Sequence, residues 1–367
     1  MAELGFETPL GPSVTVAGRE MDYFSGAGYL GLQKHPDVQA DAIEAIRRYG
    51  MATATSRGGY GEHILYDELE AEAGRFFDSP AVLTYPSGYF SALILAHGLR
   101  ERYERAFVDE SSHYSVFDGL RAAGKPITAF HHLDASSLRE GLRRELGPGE
   151  RPLLFSDGLF PISGEIAPLP DYLAVLGEYE GGLLGLDDAH AAGVLGPNGR
   201  GTLEHHGIQA ENCLAGATLS KALGGYGGLL PGSREQIAEV QRNARAYGGA
   251  SPIPLPSAAA SCAALRIART QPELRERLRA NIRRLRLGLG ELGWNLEDSP
   301  APILCLRARP GLDLAQIRAG LFARGVSIAH VTSYSSTPPG GALRIAVFAS
   351  HSPEQIDRLL AEMKQIL

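Results

Sequence analysis

Lys221 has the clearest chemical opportunity in the sequence. It lies in Thr218-Leu219-Ser220-Lys221-Ala222-Leu223-Gly224-Gly225-Tyr226-Gly227-Gly228, between the end of an apolar run and a glycine-rich turn. Ligands of α/β sheets bind at strand ends of this kind. A lysine amine forms imines with carbonyl compounds, the hydroxyls of Thr218 and Ser220 can hydrogen-bond a phosphate, and the glycines let backbone and ligand approach closely. A solvated lysine before a flexible loop is the plain reading of the same residues. No G-x-G-x-x-G accompanies it, so a dinucleotide site has little support.

A second constellation is Leu186-Asp187-Asp188-Ala189-His190-Ala191-Ala192-Gly193, directly after the apolar run Gly182–Leu186. Two acids and a histidine at a strand end can bind a metal, but no third ligand stands at suitable spacing; a capped turn with an incidental histidine is the other reading. Pyridoxal 5′-phosphate (PLP) makes a narrower demand. A carboxylate must keep its pyridine nitrogen protonated so that the ring draws electrons from the α-carbon of an amino acid. Asp187 suits that task, and His190, three residues on, can reach the phenolic oxygen. With PLP held as a Schiff base on Lys221, the residues predict chemistry at an amino-acid α-carbon and no metal site.

The elements that must carry these residues are written as short apolar runs: Ala81–Tyr85, Ala106–Val108, Ile127–Phe130, Leu153–Phe155, Gly182–Leu186, Leu214–Thr218 and Leu229–Gly232. Helical patterns separate them, which predicts a mainly parallel, seven-stranded α/β sheet with crossover helices. Ser137-Leu138-Arg139-Glu140 has capping-box spacing, with Leu138, Leu142 and Leu146 following at i+4 steps. Beyond Pro256 the pattern turns to long helices over Ala258–Ala268 and Leu274–Leu292, then to isolated strands at Ile303–Leu306 and Leu343–Val347. A closing helix starts at Ser352-Pro353, with Ile356, Leu359, Leu360, Met363 and Leu367 in one stripe. The expected division is an N-terminal segment over 1–40, a large PLP-binding domain over 41–255 and a small α+β domain over 256–367. Gly50–Gly61 is too irregular for an element and is a candidate site loop.

Composition narrows the function classes. Of 367 residues, 44% are hydrophobic and 21% charged, and the formal net charge of −7 argues against a surface that tracks nucleic-acid phosphates. The arginine run Arg279, Arg283, Arg284 and Arg286, interleaved with Leu285, Leu287 and Leu289, reads as a solvated helix face. Cys213, Cys262 and Cys305 lie far apart without a CxxC pair and read as core residues. No window approaches the roughly 18 uncharged apolar residues of a membrane span, so a soluble cytoplasmic protein is expected.

Seven segments in register carry a family resemblance from about Tyr23 to the end: Tyr29-Leu30-Gly31-Leu32, Ser87-Gly88-Tyr89, Asp109-Glu110-Ser111-Ser112-His113, Asp157-Gly158-Leu159-Phe160, Asp187-Asp188-Ala189-His190, Gly199-Arg200-Gly201 and Thr218-Leu219-Ser220-Lys221. The sequence resembles the α-oxoamine synthases, a branch of the fold-type-I PLP enzymes. The resemblance implies that Ser87, Gly88 and Tyr89 cradle the cofactor phosphate with Thr218, and that His113 stacks on the pyridine ring. It also implies that Ser251 reaches the phosphate of a neighbouring subunit in a homodimer with shared sites, and that Arg344 binds the amino-acid carboxylate. Read alone, His113 is equally a loop histidine and Arg344 a structural ion pair.

Three positions depart from the family pattern. Ala27 stands where an asparagine amide helps hold the substrate carboxylate, Pro161 where a serine reaches the phenolic oxygen, and Tyr66 where a histidine is commoner. The resemblance implies decarboxylative condensation of an amino acid with an acyl-CoA or acyl-carrier thioester. The departures keep open a racemase, aldol-type lyase or aminotransferase that uses no thioester. A silent PLP-fold partner subunit is disfavoured by the retained Lys221, Asp187, His190 and His113.

Overall fold

The computed structural model describes residues 5–334 and 337–367. Thirteen strands are described: β1 Ser13–Val16, β2 Arg19–Tyr23, β3 Ala81–Tyr85, β4 Arg105–Asp109, β5 Ile127–Phe130, β6 Pro152–Asp157, β7 Leu183–Asp187, β8 Cys213–Thr218, β9 Gly228–Gly232, β10 Ile303–Arg307, β11 Val326–Ser327, β12 Ala329–Val331 and β13 Ala342–Ala346. Seven of them form the large sheet, in the order β3-β9-β8-β7-β6-β4-β5. Its pairs are parallel except those of β9, which runs against both β3 and β8.

β6, β7 and β8 are buried along their whole length. Helices covering both faces of a parallel sheet produce this pattern, and it explains why the strands read as unbroken apolar runs. The register sets Asp157 opposite Asp187, and Asp187 opposite Gly216. The carboxyl ends of three central strands therefore form one rim, with Thr218 and Lys221 just beyond it. Next to the rim, Asp188 is buried and accepts hydrogen bonds from Thr202 N at 2.8 Å and Thr202 Oγ1 at 2.6 Å. Gly158 is required there, because a Cβ on it would overlap both the Asp188 carboxylate and the Thr202 hydroxyl.

Two smaller sheets complete the chain. β10 and β12 flank β13, and Arg344 on β13 stands opposite Cys305 and Ala329. The residue 1–40 segment contributes β1 and β2, and β2 pairs in parallel with β11 through Asp22↔Val326 and Tyr23↔Ser327. The long helices run over Leu255–Thr270 and Glu273–Glu291, and the last, Pro353–Ile366, carries the Ser352–Gln355 capping box.

Some local expectations are corrected. The helix assigned to Ser137 starts a turn earlier, at Ala135, because the Asp134 carboxylate takes the amides of Ser136 and Ser137 at 2.8 and 3.0 Å. Ser137 Oγ instead accepts from His131 N at 3.0 Å. The arginine face is solvated only in part. Arg284 pairs with Asp357, whereas Arg286 turns inward to the carbonyls of Glu297 and Ala301. Cys213 and Cys262 are buried and Cys305 is half-buried. Among the described residues, no helix is long and apolar enough to cross a membrane.

Candidate active site

The rim of the large sheet opens into a cleft of about 260 Å³ lined by Ser87, Gly88, Tyr89, His113, Asp187, His190, Thr218, Ser220 and Lys221, together with Asp157 and Tyr334. Lys221 leaves β8 on a turn closed by Leu219 N→Gly227 O at 2.9 Å and Gly225 N→Leu219 O at 2.8 Å. Its own carbonyl accepts Gln33 Nε2 at 2.7 Å, fixing the stem of the side chain. Burial lowers the Lys221 amine to about 8, against the opposing pull of Asp187 and Asp157.

Asp187 accepts one backbone bond, from Ala189 N at 2.9 Å. Burial raises its carboxyl and Lys221 works against that shift. Asp157, one strand over, is held well above the usual carboxylate range by burial and by the Asp187 charge beside it. Two buried acids facing one cleft call for a cation between them. His190 supplies none: burial pushes its imidazole well below the usual range, and its Nδ1 lies 2.7 Å from Tyr29 Oη, leaving Nε2 for the cleft.

The phosphate-sized end is built around a turn. Ser87 Oγ accepts from Tyr89 N at 3.3 Å at the start of Gly88–Phe90, which runs into the helix Ser91–Gly98. A Cβ at Gly88 would collide with Thr218. Thr218 Oγ1 donates to Gly227 O at 3.0 Å and accepts from Ser220 N at 3.2 Å, so the two hydroxyl residues are already fixed in place.

A family model described as "Aminotransferase class I and II" matches residues 24–363. The 8-amino-7-oxononanoate synthase of Methylococcus capsulatus is 35% identical over 355 residues, covering 96% of this chain and 91% of that one. A high-resolution structure of SPT with PLP superposes with a TM-score of 0.92 at 26% identity, covering 99% of this chain and 92% of that one. Sphingomonas wittichii serine palmitoyltransferase gives 0.91 at 25% identity, with the same coverage. The chain belongs to the α-oxoamine synthase family.

As an α-oxoamine synthase it is a PLP-dependent acyltransferase of the fold-type-I architecture, and the cleft suits that cofactor. The buried Asp187 carboxylate wants a positive partner, which a protonated pyridine nitrogen provides, and the Gly88–Thr218 contact leaves a cradle that a larger residue would fill. Only the neutral Lys221 amine can attack the aldehyde. The cofactor-free synthase should therefore take up PLP at a rate that rises with pH and is half-maximal at about 8. A rate still climbing steeply towards about pH 10.4, the value for a lysine in water, would place Lys221 in a solvent-like setting.

Three expected site residues do not line the cleft of one synthase chain. Ser251 is exposed outside it, and Ala27 is half-buried against the core. Arg344 is buried and already engaged: Nε donates to Pro161 O at 2.6 Å, and Nη1 to Ser25 O at 2.9 Å and Gly26 O at 3.2 Å. The Arg344 guanidinium is thus turned largely onto backbone carbonyls, and Nη2, which donates to Tyr29 Oη at 3.4 Å, keeps its second N–H for a ligand. At the other two departures, Pro161 offers its carbonyl to Arg344, and Tyr66 Oη donates to Ile253 O at 2.8 Å. In the Gly50–Gly61 loop, Arg57 is tied to Glu62 and Glu70, outside the cleft lining.

Three residues of the synthase site went unassigned by sequence reasoning. Asp157 and Tyr29 stood inside matched segments without a role. Tyr334 carried no signal at all: a tyrosine in a serine-rich stretch that the fold brings to His113 Nε2 at 2.7 Å.

Proposed function

We propose that the chain condenses a small α-amino acid with an acyl thioester, releasing carbon dioxide and free thiol and leaving an α-amino ketone. The observation that carries this reading is the buried Lys221 amine facing Asp187 and Asp157 across one cleft. The relatives' printed name describes such a product: in 8-amino-7-oxononanoate the amino and oxo groups sit on adjacent carbons, and the amino carbon bears a single methyl. An amino acid of the alanine type leaves that pattern.

PLP, when bound, supplies the electron sink that makes the amino-acid α-carbon acidic. Lys221, its amine brought down to about 8 by burial, is the base placed to take the α-proton. Asp187 would hold a positive charge at the pyridine nitrogen, and His190 would offer its Nε2 to the phenolic oxygen. His113 would cover the ring face, and Ser87, Gly88, Tyr89, Thr218 and Ser220 would hold the phosphate. Arg344 would offer the remaining N–H of Nη2 to the substrate carboxylate, since its other donors are taken. Orientation by that contact would select which α-carbon bond breaks.

The active unit is a homodimer on this reading, in the cytoplasm. Tyr60 is 99% exposed and Met51 62%, with Ile43, Ile46 and Ile64 also exposed nearby in sequence. Apolar residues so placed want a covering surface, and exposed Ser251 is then free to reach a partner's phosphate.

The test is direct. Incubated with PLP, alanine and a panel of acyl-CoA thioesters, the protein should release thiol and carbon dioxide in equal amounts, and only when both substrates are present. Inversion of alanine or formation of a keto acid, with no thioester consumed, would overturn the proposal in favour of thioester-independent chemistry.

A further inference from the structure

His113 is fixed on both sides. As the N-cap of the helix Tyr114–Ala123, its Nδ1 accepts the Ser115 amide at 3.2 Å, with Ser115 Oγ at 2.6 Å. A nitrogen that receives a backbone N–H presents its lone pair, so the ring proton sits on Nε2. Nε2 lies 2.7 Å from Tyr334 Oη, and the Nε2–H donates to that oxygen. Burial lowers His113 and raises Tyr334, so both stay neutral near pH 7. Tyr334 follows β12 and precedes β13, ten residues before Arg344, and its N donates to Thr337 Oγ1 at 2.9 Å.

We infer that Tyr334 is a positioning residue. It accepts the Nε2–H that the Ser115 amide leaves as the ring proton and holds the imidazole in one plane over the cofactor face, tying that face to the segment that leads into the strand bearing Arg344. The inference rests on the PLP-dependent reading of the cleft. It removes His113 from acid–base work, because both ring nitrogens are committed, and it leaves proton transfer to Lys221. The aromatic surround supports a fixed plane: Tyr114 lies 4.2 Å from the His113 ring centroid, Tyr334 5.6 Å and Tyr89 6.2 Å.

Tyr334→Phe removes the hydroxyl and keeps the ring. In the cofactor-free protein with ¹⁵N-labelled histidine, His113 should show the Nε2–H tautomer with its ring proton protected from solvent exchange, and Tyr334→Phe should keep the tautomer, which the Ser115 amide sets, but lose that protection. In the holoenzyme the variant should weaken the visible circular dichroism of bound PLP and lower kcat about ten- to a hundredfold, the scale of a small misplacement at a reacting centre. The amino-acid KM should change less than about threefold, since no carboxylate contact is touched.

On a His113→Phe background, Tyr334→Phe should change neither the dichroism nor kcat, because the partner is gone. Additive effects there, or an equally protected Nε2–H in the single variant, would overturn the inference. The two readings fail separately: a wild-type protein that releases no thiol removes the condensation, while the Nε2–H protection and the dichroism still decide the role of Tyr334.

Discussion

Lys221→Ala should leave a folded, PLP-binding protein whose turnover falls by about 10⁴-fold, the upper range for loss of a positioned base. Folding should survive because the backbone at 221 is held independently of the side chain, by Gln33 Nε2 on its carbonyl and by the turn closed at Gly224 N. The cleft electrostatics should change as well. Lys221 is the cation that offsets burial at Asp157 and Asp187, so its removal should raise both carboxyls further. Single-turnover thiol release measures the loss, and borohydride treatment provides the control: wild type should be fixed irreversibly at Lys221, and the variant should not. A variant retaining a tenth of wild-type turnover would move the base elsewhere.

Asp187→Asn should cost on the order of 10²-fold or more in kcat, since a charge-assisted contact is lost at the point where charge develops. The substitution is close to isosteric, and the amide oxygen can still accept Ala189 N, so the strand end should keep its shape. An amide cannot hold a proton on the pyridine nitrogen. The bound cofactor should therefore change its visible spectrum while the phosphate end, built from Ser87 to Tyr89 and Thr218, still retains it. Full turnover in this variant would strip Asp187 of its role and direct attention to Asp157, the second buried carboxylate of the cleft.

Much of the scaffold was legible because parallel strands buried on both faces leave unbroken apolar runs; β3 and β5 end at the residues read from sequence. Asp187, His190 and Lys221 were legible for a related reason, being polar groups that close such runs. Other features leave no trace of that kind. The donors of Arg344 end on backbone carbonyls, which every residue possesses, so neither Ala27 nor Pro161 announces that the fork is occupied. Tyr334 meets His113 across 221 positions of chain, a distance over which periodicity carries no information. β11 is two residues long and has no pattern to read, which concealed the partner of β2. At Asp134 and Ser137 two competent caps stood three residues apart, and the carboxylate took the helix.

The pairing of β2 with β11 also has a consequence for biosynthesis. Asp22 leaves the ribosome about 300 residues before Val326, which at 5–20 residues per second is a delay of roughly 15–60 s. During that interval the β1–β2 hairpin carries an unsatisfied strand edge, open to the same edge on a neighbouring nascent chain. Translation that stalls before residue 326 should therefore yield chains that associate through the hairpin strands Ser13–Val16 and Arg19–Tyr23.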